Sequence, residues 1–419
     1  MAKKLKGVVF GITNVIAKTG SLDVKLMDEI GKLIRFLLTK NITPIFYGNH
    51  DYVIKNENGQ QTRLQTVITQ RWGSFPWYIA ETGNAPWKPN GAASRFVLDN
   101  HGWDPAEVVY VGNTDEDMRT AIHGRLLFLN VTWYGQNNQY GFFFDTPWDI
   151  ARFIETFCLR EHLWHYKIEE PSLRFYALAP YSTQMPEFSV LSTDARNAAK
   201  SWGLGHPDFW TKYLWSTIYF SELYKEIDYI VSIPGHSQGF GNSIMEQPML
   251  AFGKCFYQTY LRDLIYRHVT IEKSSSLRAQ QRQAEVDHRR QLNSIYLTRL
   301  PLRASSDERY KNCPIRRGKT VLVTDDICTN GYSLEAAAAY IRQTGANVIG
   351  MSWLKTINRD YMQINDDLGA FNPFQPNVFN SIRSATSYRY KDHITDRYAP
   401  DEVTQKLQAY DCWHWPAGL

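Results

Sequence analysis

The sequence predicts an α/β protein built on two doubly wound parallel sheets with a helical connector between them. Three observations predict it. Short apolar, β-branched runs recur along the chain, as strands buried on both faces require. They alternate with segments whose apolar residues follow helical spacing, the pattern of βα units. One run, Val321-Leu322-Val323-Thr324, passes directly into Asp325-Asp326, a small polar turn and an alanine-rich helix over Leu334–Arg342. That layout places chemistry at the carboxyl edge of a parallel sheet.

Taken in order, Gly7–Phe10 reads as a first buried strand. Leu26, Ile30, Leu33, Ile34 and Leu37 then share one helix face. Strands follow at Thr43–Tyr47, Glu107–Val111 and Leu126–Val131, which closes a first unit over residues 1–150. Residues 151–185 carry aromatic and charged clusters with Pro171 and Pro180, and read as a helical connector. A second unit spans 186–370, with strands at Tyr229–Ile233 and Thr320–Thr324. Residues 371–419 hold prolines and aromatics with little periodicity and read as a cap or interaction tail. No repeat of solenoid length is present.

Composition narrows the class. The chain has 419 residues, enough for two or three domains, and its 43% hydrophobic and 14% aromatic content argues against disorder. A net charge of +4 by itself points to neither a nucleic-acid nor a membrane partner. The five cysteines, Cys158, Cys255, Cys313, Cys328 and Cys412, lack metal-ligand spacing and read as reduced thiols of a cytoplasmic protein. Lys3-Lys4-Leu5-Lys6 before an apolar stretch mimics a signal peptide, but Asn14 and Lys18 interrupt that stretch, so a first strand explains it better.

The turn after Asp325-Asp326 is Thr329-Asn330-Gly331-Tyr332-Ser333. It offers hydroxyls and backbone N–H groups at a helix N-terminus, where a phosphate is favoured. Gly331 permits close backbone approach. The two carboxylates suit a pair of ribose hydroxyls or a hydrated Mg²⁺. An ordinary capped strand–turn–helix is the alternative. This segment resembles the phosphoribosyl diphosphate (PRPP) loop of type I phosphoribosyltransferases: a hydrophobic strand, Asp-Asp, two residues, then Thr-Thr-Gly-x-Thr. Asn330 and Ser333 depart from that pattern and keep its hydrogen-bonding capacity.

Two further segments fit the resemblance. Tyr229–Ile233 runs into Pro234-Gly235-His236-Ser237-Gln238-Gly239, the place of the family's diphosphate loop, where Gly235, His236 and Ser237 would hold the leaving group. Between the two turns lies a basic stretch with Lys273, Arg278, Arg289 and Arg290. The spacing of Gln281, Arg289 and Asn293 resembles the ComF-like branch, named for a competence-associated protein. In the family this segment is a mobile loop that closes over the site, which implies catalytic roles for Arg278 and Arg289 beside Asp325 and Asp326. A solvated basic helix is the alternative. Interleaved Glu285 and Asp287 weaken a nucleic-acid reading.

Residues 1–150 resemble a haloacid-dehalogenase-type (HAD) phosphatase domain whose chemistry is missing. The nucleophile and acid/base of its Asp-x-Asp motif fall on Gly11 and Thr13, in Gly11-Ile12-Thr13-Asn14. The second strand ends Tyr47-Gly48-Asn49, the motif lysine is matched by Lys88, and the acidic motif reads Gly112-Asn113-Thr114-Asp115-Glu116-Asp117. The two resemblances imply a cytoplasmic, Mg²⁺-dependent phosphoribosyltransferase acting on PRPP or a phosphoribosyl nucleotide, with no membrane partner and an inactive phosphatase domain. A PRPP-sensing regulator without turnover is the second reading. An effector of a bacterial stress or phage-defence operon, held by a protein partner from that operon, is the third.

Overall fold

The computed structural model describes residues 3–419 apart from 19–21, 56–60, 201–203, 242–248, 251–255, 257, 304–307, 366–367 and 383. The fold is α/β, with two six-stranded sheets.

The first sheet contains β1 (Gly7–Gly11), β2 (Thr43–Gly48), β5 (Trp77–Ile79), β6 (Val108–Gly112), β7 (Leu127–Val131) and β8 (Phe142–Phe144). A small hairpin, β3 (Val53–Lys55) and β4 (Gln61–Arg63), stands beside it. The spatial order is β5-β2-β1-β6-β7-β8, parallel throughout. Alternation along β1 splits the core. Val8 and Phe10 face a cluster that includes the helix Val24–Thr39, and Val9 faces one that includes the helices Gly91–His101 and Asp115–His123.

The second sheet uses β9 (Tyr166–Glu170), β10 (Leu173–Tyr181), β11 (Tyr229–Ser232), β13 (Thr259–Tyr260), β16 (Thr320–Cys328) and β17 (Asn347–Thr356). Its order is β13-β11-β16-β17-β10-β9, and only β9 runs antiparallel to its neighbour. A three-stranded antiparallel sheet, β12 (Gly239–Phe240), β14 (Ile265–Arg267) and β15 (Ile295–Leu297), lies between β11 and β16 in the chain. A hairpin of β18 (Tyr361–Ile364) and β19 (Ala385–Tyr388) follows β17.

The predicted strands are found with small shifts of their ends, but residues 151–185 need correction. Only their start is helical, through Phe153 and a π-helical turn over Ile154–Cys158. Residues 166–181 form β9 and β10, and β10 is buried along nearly its whole length. A strand covered on both faces reads as a mixed aromatic and aliphatic run without period-2 alternation, so periodicity does not separate it from a helix.

One core joins the two sheets. Val8, Phe46 and Phe36 of the first unit share a cluster with Tyr176, Ile230 and Trp353 of the second. The tail completes it: the helix Ala399–Tyr410 buries Val403 and Leu407, and Trp413 packs edge-on against Phe36, 6.1 Å between centroids. No described helix is long and apolar enough to cross a membrane.

Candidate functional site

Each sheet has one place where the direction of winding reverses, between β1 and β6 in the first and between β11 and β16 in the second. Loops leaving the carboxyl ends of such strands part from each other and open a crevice.

In the second sheet the segments the sequence singled out lie at the carboxyl ends of β11 and β16. Ser232 pairs with Thr324, and the Ile233 N–H donates to the Thr324 carbonyl at 3.0 Å, so the turn 234–239 leaves the sheet beside Asp325. Strand β16 runs further than its apolar stretch, because β17 continues the ladder through Asp325–Ser352 to Cys328–Lys355. Asp325 and Asp326 are half-buried. The Asp325 carboxylate accepts from the Asp326 N–H at 2.9 Å, and that of Asp326 accepts from the Ile327 N–H at 2.8 Å. Burial and the adjacent Asp326 carboxylate push the Asp325 carboxyl well above the usual carboxylate range, while Arg267 pulls the other way.

Residues 329–333 follow β16 directly and lead into a helix. Gly331 adopts φ +79° and precedes the helix Tyr332–Arg342. A Cβ there would lie 2.5 Å from the Tyr361 ring, so both conformation and space require glycine. Thr329 Oγ1 meets Thr356 Oγ1 at 3.1 Å, and Asn330 Nδ2 donates to the Asp360 carbonyl at 3.1 Å. Tyr332 stands edge-on to His288, 4.6 Å between centroids. Tyr332, His288 and Arg289 line a cleft of about 480 Å³ with Met362 and Ser384.

Two buried cations that the sequence reading missed hold these loops. Arg267 donates to the Gly235 carbonyl at 2.6 Å, to the Pro234 carbonyl at 3.5 Å and to Gln291 Oε1 at 3.2 Å, and also bonds Ser294. Burial pulls it down to about 10, with the Asp325 charge opposing, so it stays charged at neutral pH. Lys355 donates to the Thr329 carbonyl at 2.6 Å and to the Arg359 carbonyl. It lies 5.5 Å from the Tyr166 ring centroid and 5.6 Å from that of Tyr390, and burial pulls it down to about 8. No local sequence signal marks either residue; each is one cation in an otherwise ordinary strand.

The remaining predicted residues are placed less closely. Gly235, His236 and Ser237 are exposed on the turn, which the Gly235 N–H closes onto the Gly241 carbonyl at 3.2 Å. Partial burial together with Lys273 and Arg267 lowers the His236 imidazole below its ordinary value. Arg289 reaches the Asn380 carbonyl at 3.1 Å, on the side of Tyr332. Arg278 lies on the short helix Ser274–Ala279, and its side chain is outside the described residues. The segment expected to be mobile is anchored at its end: Gln291 and Leu292 are buried, and His288 Nε2 meets the Met362 carbonyl at 2.7 Å. Among the described residues no group of three His, Cys, Asp or Glu side chains forms a ready metal site. The Asp325–Asp326 pair is the place where one or two carboxylates could hold Mg²⁺ together with a phosphorylated ligand.

In the first sheet, the crevice between β1 and β6 is filled. Asp117 is fully buried and accepts from Lys88 Nζ at 2.5 Å, from the Tyr110 hydroxyl at 3.0 Å, and from the Asn113 and Thr114 N–H groups at 3.3 Å. Thr114 and Asp117 also form the capping box of the helix Asp115–His123. Asn49 grips the Lys88 backbone, accepting from its N–H at 2.8 Å and donating to its carbonyl at 3.1 Å. Asn113 is sewn into the following loop through the Val131 carbonyl at 2.6 Å and the Gly135 carbonyl at 2.8 Å. Thr13 bonds the Tyr52 hydroxyl at 2.6 Å.

No family model matches the chain. No curated protein sequence matches it. Part of the chain, towards its N-terminus, is similar to solved structures of HAD-superfamily phosphatases and hydrolases. A HAD-superfamily hydrolase from Ehrlichia chaffeensis is 18% identical over 37% of this chain and 98% of its own, with a TM-score of 0.27. The D,D-heptose 1,7-bisphosphate phosphatase of B. bronchiseptica, solved with magnesium and phosphate, is 15% identical over 35% of this chain and 96% of its own, with a TM-score of 0.26. A phosphoglycolate phosphatase candidate from Lactobacillus delbrueckii is 19% identical over 30% of this chain, with a TM-score of 0.23, and the match spans about half of that protein, 51%.

Proposed function

We propose that the crevice between β11 and β16 binds PRPP or a phosphoribosyl nucleotide, and that the protein is a phosphoribosyltransferase. One observation carries the reading. The Asp325-Asp326 pair lies near the end of one strand, the Gly331 turn leaves that strand, and the 234–239 turn leaves its neighbour, at the reversal point of the sheet. Each part of such a ligand then has a matching group. Residues 329–333 offer backbone N–H groups and hydroxyls to the 5′-phosphate at a helix N-terminus. Asp325 and Asp326 accept the ribose hydroxyls and fix the ring while the bond at C1 breaks. The 234–239 turn faces the leaving diphosphate. Two crowded, half-buried carboxylates also fit a divalent cation, and Mg²⁺ bound there with the diphosphate would neutralise its charge as it leaves.

Arg267 acts behind these groups. It ties the carbonyls of Pro234 and Gly235 to Gln291 and Ser294, so the turn keeps its place past the end of β11. A regulator that senses PRPP without turnover, or an effector controlled by a partner, would use the same binding groups.

The first sheet we read as a HAD-like domain without phosphatase activity. Gly11 carries no nucleophile, and the Lys88–Asp117 pair occupies the space where one would act.

Calorimetry with PRPP and Mg²⁺ tests the main reading. Binding is expected for the wild type and lost in Asp325→Ala/Asp326→Ala with unchanged circular dichroism. Equal affinity in the double variant overturns it. Release of diphosphate on addition of candidate bases separates an enzyme from a sensor.

A further inference from the structure

The small antiparallel sheet places three aromatic rings in one row. Phe240 pairs with Tyr266, and Tyr266 pairs with Tyr296, directly across the strands. Their centroids are 4.5 and 5.3 Å apart, and His268 extends the row at 5.9 Å from Tyr296. Strand alternation turns Ile265, Arg267, Ile295 and Leu297 to the other face, where all four are buried. Phe240 is 50% exposed, and Tyr266 and Tyr296 are half-buried, so the row lies on the outer face. The Gln238 side chain donates to the Tyr266 hydroxyl at 3.1 Å and steadies the row at its rim.

Charge selects the occupant. Residues 262–319, which carry β14 and β15, hold 14 Lys or Arg against 6 Asp or Glu. That is a surplus of eight in a chain whose total is +4, so the rest of the molecule is net acidic. The acids interleaved in this stretch face arginines of the same stretch: Glu272 and Glu285 pair with Arg282, and Asp263 pairs with Arg309. Lys273 lies close enough to His236 to lower its pKa, which puts a cation beside the turn that leads into β12. A polyanion with flat, stackable groups finds both charge and rings.

We propose that the Phe240–Tyr266–Tyr296 row is a stacking platform for single-stranded nucleic acid, with successive bases on the rings and the phosphates on cations of the 262–319 stretch, Lys273 among them. The platform lies on the face of the small sheet opposite to Arg267, so the proposal is independent of the sugar-phosphate reading.

Fluorescence anisotropy of the full chain tests it, with labelled mixed-sequence 15-mers of RNA and of DNA and a DNA duplex of the same length. Saturable binding of single strands that weakens with salt is expected, with the RNA and DNA arms showing which backbone is preferred. Phe240→Ala and Tyr266→Ala should each weaken it roughly five- to a hundredfold, the range of one lost base stack, while Phe240→Trp retains it. Absence of saturable binding overturns the proposal. So does binding that both alanine variants leave within twofold, or duplex binding as tight as single-strand binding. Displacement of the strand by PRPP with Mg²⁺ would place it in the crevice instead, and also overturns the proposal.

Discussion

A Cβ built on Gly11 would lie 2.6 Å from one carboxylate oxygen of Asp117 and 2.7 Å from the other. Asp117, the last acid of the Gly112–Asp117 segment, fills the space a side chain at position 11 would need. It is held there by Lys88, Tyr110 and two backbone N–H groups. A side chain at position 11 and the buried Lys88–Asp117 pair therefore compete for one space.

Gly11→Asp is accordingly expected not to create phosphatase activity, and to lower stability by about 1–3 kcal/mol through overpacking. Lys88→Ala strands a buried carboxylate and should lower stability by about 3–5 kcal/mol. Urea unfolding measures both. Wild-type turnover of a generic phosphate ester that disappears in Lys88→Ala would show that the domain is active after all.

Gly331→Ala combines a left-handed backbone with a clash against Tyr361. That ring cannot yield, being 4.9 Å from the Phe175 centroid with its hydroxyl 3.0 Å from buried Glu335. A loss of about 2–4 kcal/mol is expected, with PRPP affinity reduced further than stability alone explains. A stability change below about 0.5 kcal/mol, within the ordinary range of surface changes, would contradict this geometry.

Arg267→Lys keeps the charge and loses the planar fork that spans Gly235, Gln291 and Ser294. It should lower stability by about 1–3 kcal/mol and raise hydrogen exchange in residues 234–241. Wild-type protection of that turn in the variant would mean that Arg267 does not hold it.

Lys355 gives a pH signature. Burial sets its folded value at about 8, whereas the unfolded chain keeps the proton to about 10.4. Between these values the unfolded state holds more protons, so this group makes stability rise with pH. Lys355→Met removes the rise, and the difference between wild type and variant should change steadily from pH 8 to 10. A pH-independent difference would place the amine in a solvated setting.

Legible in the chain alone were the class of fold, the strands on either side of both reversal points, and the Asp325-Asp326-to-Ser333 segment as strand, turn and helix. These are local: buried parallel strands need continuous apolar runs, and a tight turn into a helix needs small polar residues and a glycine in a row. Tertiary structure decided the rest. Strands β9 and β10 are strands because β17 offers β10 a free edge, and their composition does not say so. Asp117 fills the space above Gly11 only because β1 and β6 are neighbours. Arg267 and Lys355 became the supports of the two loops because folding buries them against carbonyls far away in sequence. A buried cation must find such partners, since a bare charge away from water is strongly unfavourable. Which partners it finds depends on how strands pair, and pairing is set by contacts that no short stretch of sequence contains.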